Sequence, residues 1–223
     1  MPVHLPNPND APPRSTPPAY ILAGGRSVRF GSDKARAAVN GHPLILHVAR
    51  ELAPFASSIT AVAQTADHYT DLGLTTIADG AADNGPVQGL LAALIHHIET
   101  RGGGWLVLAA CDMLTREHDA YRTLIQAIPD TPRGCQAIAH RTDRWHPMPG
   151  LYHTDMLPAV AAFLADGGRA FQTLLNKPAL RAFAPHTHTH PLARLVHANT
   201  PGQLQAGLQQ QTPPPTAHPD HPA

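Results

Sequence analysis

The chain has 223 residues, 43% apolar and 14% charged, and its 16 basic and 16 acidic side chains leave no net charge. That length suits one domain with a sizeable core, and zero net charge excludes the broad basic footprint of a nucleic-acid binder. No apolar run reaches the ~20 residues that cross a bilayer, so no membrane is expected as a partner; two cysteines outside any CxxC pair exclude a disulfide framework and fit a reducing cytoplasm.

The opening MPVHLPNPNDAPPRSTPP lacks the apolar centre of a secretory signal and reads as a Pro-rich lead-in over residues 1–17. Residues 18–208 form the expected domain, and 209–223 are a Pro/His-rich tail. The histidines of HTHTHP and AHPDHP sit in turn-like sequence and read as solvated rather than metal-binding. YILAGG begins as a buried strand. PLILHVARELAPF places Leu44, Ile45, Val48, Leu52 and Phe55 at helical spacing, with Pro43 at the first turn. SSITAVAQ and LTTIAD are short strands. GPVQGLLAALIHHIET is a helix opened by Gly-Pro, and GGGWLVLAACDM is an apolar strand running into an aspartate. DAYRTLIQAI is a helix; CQAIAH and PGLYH are strands; HTDMLPAVAAFLADGG and RAFQTLLNK hold two more helices. RLVHANTPGQLQAGL closes as strand, turn and helix, with Asn199 and Thr200 offering an N-cap. Strands and helices alternate over short connections, and several strands are apolar throughout. The predicted fold is therefore α/β: a Rossmann-like three-layer sandwich, with a mostly parallel central sheet and helices on both faces.

In such sheets ligands bind beyond the carboxyl ends of the strands. Three chemistry-bearing features fall there: the loop after YIL, Asp79 and Asp112. The loop reads LAGGRSVRFGSDK and gathers three glycines with Arg26, Arg29 and Lys34. Glycines let backbone N–H groups approach phosphate oxygens, and the cations add charge-assisted hydrogen bonds. The pattern is neither the P-loop GxxxxGK[ST] nor the dinucleotide GxGxxG. Asp112 follows an apolar strand, where an unpaired carboxylate is costly without a cation; alternatively it caps a turn. Asp33 is expected to order the loop. Trp145 either offers an aromatic face to a ligand or lies in the core.

LAGGRSVRFGSDKA resembles the LAGG-x-S-x-R-M-G-x-D-K signature of nucleotidyltransferases with a MobA-like fold, and within them the molybdenum cofactor guanylyltransferases. NGHPLILHV, IADGAADNGPVQGLLAAL, LAACDMLT, RWHPMPGLYH and HANTPGQL resemble that family's further blocks in the same order. The resemblance implies transfer of GMP from GTP to the terminal phosphate of molybdopterin, with Mg2+ as cofactor. It implies molybdenum-insertion and molybdoenzyme-maturation proteins as partners. It also implies roles for individual residues. Arg26, Lys34 and Asp112 would be catalytic, with Asp112 the metal ligand. Leu22, Ala23, Gly24, Gly25, Lys34, Asp79, Gly85, Gly89 and Asp112 would bind the nucleotide. Arg144, His146 and Asn199 would bind molybdopterin. His146 reads equally as a packed loop histidine, and Asn199 as a helix cap. The chain departs from the pattern in GPVQG for GPLAG, in CDM for CDT, and at Val62, where the family tends to carry asparagine. These departures touch base choice, so a molybdopterin cytidylyltransferase or another small nucleotidyltransferase is the alternative within the class. A non-catalytic nucleotide-binding protein is the alternative outside it.

Overall fold

The computed structural model describes residues 16–23, 33–80, 85–115, 119–185 and 195–197. In chain order the strands are β1 (Ala19–Leu22), β2 (Ala38–Val39), β3 (His42–Pro43), β4 (Ile59–Ala63), β5 (Thr75–Ala78), β6 (Trp105–Ala110), β7 (Met113–Thr115), β8 (Ala137–Arg141), β9 (Trp145–His153), β10 (Ala182–Phe183) and β11 (Leu195–His197). The helices are α1 (Leu44–Leu52), α2 (Pro86–Arg101), α3 (Asp119–Gln126), α4 (Leu157–Ala165) and α5 (Phe171–Leu175). Seven strands form the central sheet in the order β10-β8-β9-β6-β1-β4-β5. Pairings β6–β1, β1–β4, β4–β5 and β8–β10 are parallel, while β9 runs antiparallel to both β6 and β8. The mostly parallel α/β architecture expected from the sequence is the one observed.

The strands bury both faces, as their apolar runs require. Side chains alternate across a strand, so β1 sends Ile21 to one face and Tyr20 and Leu22 to the other. Ile21, Ala61 and Val107 pack with Leu44, Ile45 and Val48 of α1 and with Tyr121 and Leu124 of α3. Tyr20, Leu22, Val62 and Leu108 pack with Leu90 and Leu94 of α2, Phe163 of α4 and Leu174 of α5. Those two cores are the gaps between the three layers.

The β2–β3 hairpin, the start of β9 and the short strands β7 and β10 differ from the sequence reading. β2 and β3 form a hairpin around Asn40 (φ 48°) and Gly41 (φ 80°), the left-handed pair that Asn-Gly favours in a two-residue turn. β9 begins at Trp145, before the PGLYH strand expected from the sequence. Its partner register on β8 jumps from Ala139↔Gly150 to His140↔His146, so Pro147–Pro149 bulge out of the ladder. The closing strand is present as β11, paired antiparallel to β7; the helix expected after it lies outside the described residues.

His97 on α2 is buried at 3% exposure, and among the described residues neither ring nitrogen has a hydrogen-bond partner. Burial, reinforced by the nearby charges of Arg101, His153 and His96, pushes its pKa below the usual 6.5. The unfolded chain therefore takes up a proton that the folded chain refuses. This histidine's contribution to stability is complete above pH 6.5 and is lost as the pH falls below that value. The melting temperature should drop between pH 7 and pH 5, and less steeply in His97→Leu. An equal slope in the variant would remove His97 from the account.

Candidate active site

Because β1, β4, β5 and β6 are parallel, their carboxyl ends share one edge of the sheet. Ladder bonds carry past the strand ends and hold the next residue of each chain segment in place. The Ala23 N–H donates to Val62 O at 2.9 Å, the Asp79 N–H to Ala63 O at 2.8 Å, and the Cys111 N–H to Leu22 O at 3.0 Å. The three features expected to converge, the β1 loop, Asp79 and Asp112, thus leave the same edge. β5 and β6 are three strand spacings apart, about 14 Å, a separation that would let Asp79 and Asp112 reach opposite ends of an extended ligand.

At the β6 end, Lys34 Nζ lies 2.6 Å from Asp112 Oδ2, with side chains only 13% and 22% exposed. A single hard carboxylate seated against a cation suits a Mg2+ shared with phosphates, which takes one or two carboxylates and keeps water ligands. Among the described residues no group of three His, Cys, Asp or Glu gathers as a metal cage. Neighbouring Cys111 is no nucleophile. Burial, then the charge of Asp112, pushes its thiol pKa up to about 12, so it stays protonated.

The two ends of the β1 loop are clamped. Asp33 caps the 3-10 turn Lys34–Arg36, accepting from the Ala35 N–H at 3.0 Å, at the carboxyl end of the loop it was expected to order. The buried Tyr69 hydroxyl lies 3.1 and 3.2 Å from the Asp33 carboxylate oxygens and 3.3 Å from the Ala23 carbonyl. Burial and the Asp33 charge hold its phenol well above the usual tyrosine range, so it remains a donor. Arg36 locks the same region through a bidentate pair with Asp71, at 2.7 and 2.8 Å, and a 2.6 Å bond to His68 O. Gly24, Gly25, Arg26 and Arg29 lie outside the described residues.

At the β5 end, Asp79 is half-buried, and its carbonyl accepts from Gln88 Nε2 at 2.9 Å. Gly85 holds φ 72° and ψ −178° directly before α2, a backbone region that only glycine enters readily. At Gly89 a Cβ would fall 2.7 Å from Leu22 Cδ2 and 3.6 Å from Val62 Cγ1. Glycine there lets α2 lie close on β1 and β4. The Leu22 side chain, 8% exposed, is consequently packed under the helix, and Val62 is buried beside it. Ala23 is half-buried, and Gln64 is exposed at the edge.

The β8–β9 turn reaches the same edge, because β9 starts beside the end of β6. Arg144 is exposed on that turn, and His146 Nε2 lies 3.0 Å from Thr142 Oγ1. Trp145 is a core residue, 5% exposed, with its indole N–H donating to Asn176 Oδ1 at 3.2 Å; it presents no free face to a ligand. β11 comes back to the site from the far end of the chain, pairing His197 with Met113, one residue past Asp112. Asn199 itself lies outside the described residues. Tyr69, Arg36 and Gln88 are contributors that sequence reasoning missed. Only Gln88 left a trace, as a departure from the motif.

Known proteins resemble this chain in sequence and in fold. The MobA-like NTP transferase domain matches residues 19–182. A probable molybdenum cofactor guanylyltransferase of Synechococcus elongatus is 32% identical over 194 residues, 84% of this chain and 96% of that protein. The molybdenum cofactor guanylyltransferase of Photobacterium profundum is 32% identical over 188 residues, 83% of this chain and 92% of its own. Among solved structures, the molybdopterin-guanine dinucleotide biosynthesis protein A of Archaeoglobus fulgidus superposes with a TM-score of 0.68 at 22% identity, over 86% of this chain and 97% of that one.

Proposed function

This chain belongs to the MobA-like NTP transferase family and is a nucleotidyltransferase; from that premise we propose that it transfers GMP from GTP to the terminal phosphate of molybdenum-loaded molybdopterin. The observation that carries the reading is the Lys34–Asp112 pair at the carboxyl end of β6, on the edge from which the glycine-rich loop leaves. The guanylyltransferase relatives at 32% identity support the choice of nucleotide and acceptor.

In this reaction a phosphate oxygen of the acceptor attacks the α-phosphorus of GTP. The bond from that phosphorus to the β-phosphate bridging oxygen breaks, and pyrophosphate leaves with the electron pair. No protein nucleophile is required. The protein's work is alignment and neutralisation of phosphate charge. Asp112 would hold Mg2+, which supplies Lewis-acid neutralisation at the phosphates when bound. Lys34 contributes a point charge to the triphosphate. Gly24, Gly25, Arg26 and Arg29 cradle and neutralise its oxygens, and Asp79 engages the nucleoside. The turn carrying Arg144 and His146, together with Asn199 beyond β11, receives molybdopterin.

The test is pyrophosphate release with molybdenum-loaded molybdopterin, offering GTP, CTP and ATP separately. Release with GTP is expected. Release with CTP alone would make the protein a cytidylyltransferase. No release with any nucleotide, using acceptor shown to be intact, would leave only nucleotide binding.

A further inference from the structure

We propose that Gln88 reads the base: its side-chain oxygen accepts a hydrogen bond from the 2-amino group of guanine, beside the Asp79 carboxylate. This rests on the GTP reading given above and assigns it a specificity residue.

The orientation of the amide is set by its partner. Gln88 bonds the Asp79 carbonyl at 2.9 Å, and a carbonyl oxygen can only accept. The amide nitrogen must therefore face Asp79, which fixes Oε1 on the other branch as an acceptor. Among the described residues the Gln88 side chain makes no other hydrogen bond. Gln88 is half-buried in the first turn of α2, too short a tether to swing away while that bond holds.

Asp79 and Gln88 line one end of an open groove of about 340 Å³ between β5 and α2, with Ile77, Leu91 and Ala92 beside them and Ile95, His96 and Glu99 farther along the helix. That volume is within the range of small-molecule sites, and apolar walls with a few placed polar groups are their usual make-up. The aliphatic side chains at that end can take the apolar faces of a base. The polar end offers a carboxylate and an amide oxygen, both acceptors. Guanine presents two adjacent donors on its pairing edge, N1–H and the 2-amino group. Cytosine and adenine each present one donor next to an acceptor nitrogen. Against two protein acceptors, either would set lone pair against lone pair, and a buried polar group left so unpaired is what makes discrimination steep.

Inosine triphosphate isolates the contact, since it is GTP without the 2-amino group. With molybdenum-loaded molybdopterin as acceptor, the wild-type protein should favour GTP over ITP in kcat/KM by about tenfold, the worth of one hydrogen bond to a polar partner. Gln88→Ala and Gln88→Met should both bring that ratio close to one, because GTP loses more than ITP does. Melting curves check that both variants fold. The tie to the Asp79 carbonyl gives the alternative outcome. If Gln88 only holds strand end to helix, both nucleotides lose equally and the ratio stays near ten. That result would overturn the proposal while leaving GTP as the substrate. A wild-type protein that turns over CTP and not GTP would overturn both.

Discussion

Asp112→Asn should lower nucleotidyl transfer by about a thousandfold or more in kcat, with little change in melting temperature. The magnitude combines loss of a metal's charge stabilisation in the transition state with loss of precise phosphate alignment. Asparagine matches aspartate in shape and keeps the turn that joins β6 to β7, so the fold has no reason to change. What disappears is the only charge on that side chain. The 2.6 Å ion pair with Lys34 then becomes at best an ammonium-to-amide hydrogen bond, and the uncompensated lysine charge opposes a cation at the place proposed for Mg2+. Single-turnover rates measure the step, and Mn2+ titration by calorimetry in the presence of GTP measures the metal. A variant retaining activity within tenfold of wild type would remove Asp112 from the chemistry.

Lys34→Met separates two effects that Asp112→Asn combines. In the structure the ammonium of Lys34 rests on the carboxylate oxygen that a metal would need. Ammonium and metal cannot share that oxygen at close range, because like charges at a few ångströms in a partly buried site repel strongly. On the proposed reading the lysine would shift from carboxylate toward phosphate as nucleotide and metal bind. Removing it should tighten Mn2+ binding to the nucleotide-free protein by about tenfold, the order expected when a competing buried charge is deleted. The same variant should weaken GTP binding and cut turnover by about a hundredfold, since a phosphate-neutralising charge is gone. The two readouts move in opposite directions, which general misfolding cannot imitate. Unchanged Mn2+ affinity in Lys34→Met would show that the ion pair does not guard the metal position.

What the sequence made visible was set by range. The continuous apolar runs of β1 and β6 are local patterns, and they identified a sheet buried on both faces. Lys34 and Asp112 were legible because each belongs to a short motif at a strand end, and a parallel sheet brings strand ends together. The β2–β3 hairpin was legible in principle from Asn40-Gly41 but lies in a stretch with no strand-length apolar run. The start of β9 was hidden by Pro147 and Pro149, which argue against a strand; the bulge resolves the conflict by lifting them out of the ladder. Tyr69 was invisible for a different reason. It sits in the polar stretch TADHYTDLG, and its contacts to Ala23 and Asp33 exist only once the β4–β5 connection folds across the loop. The orientation of Gln88 likewise depends on Asp79, nine positions away.

The Tyr69 clamp changes where an entropic cost falls. The hydroxyl joins residue 23 to residue 33, so the nine residues 24–32 are a segment with both ends already tied. Bringing the ends of a free segment that long together costs about 2 kcal/mol, taking one and a half RT times the logarithm of its length. Here that cost is met when the domain folds, before any phosphate arrives. The tyrosine also comes from the connection between β4 and β5, which leads to Asp79. On the proposed reading, the connection that leads to the nucleoside end of the ligand is thus the one that ties down the phosphate end, and a disturbance at either would reach the other through the Tyr69 hydroxyl and the Arg36 guanidinium.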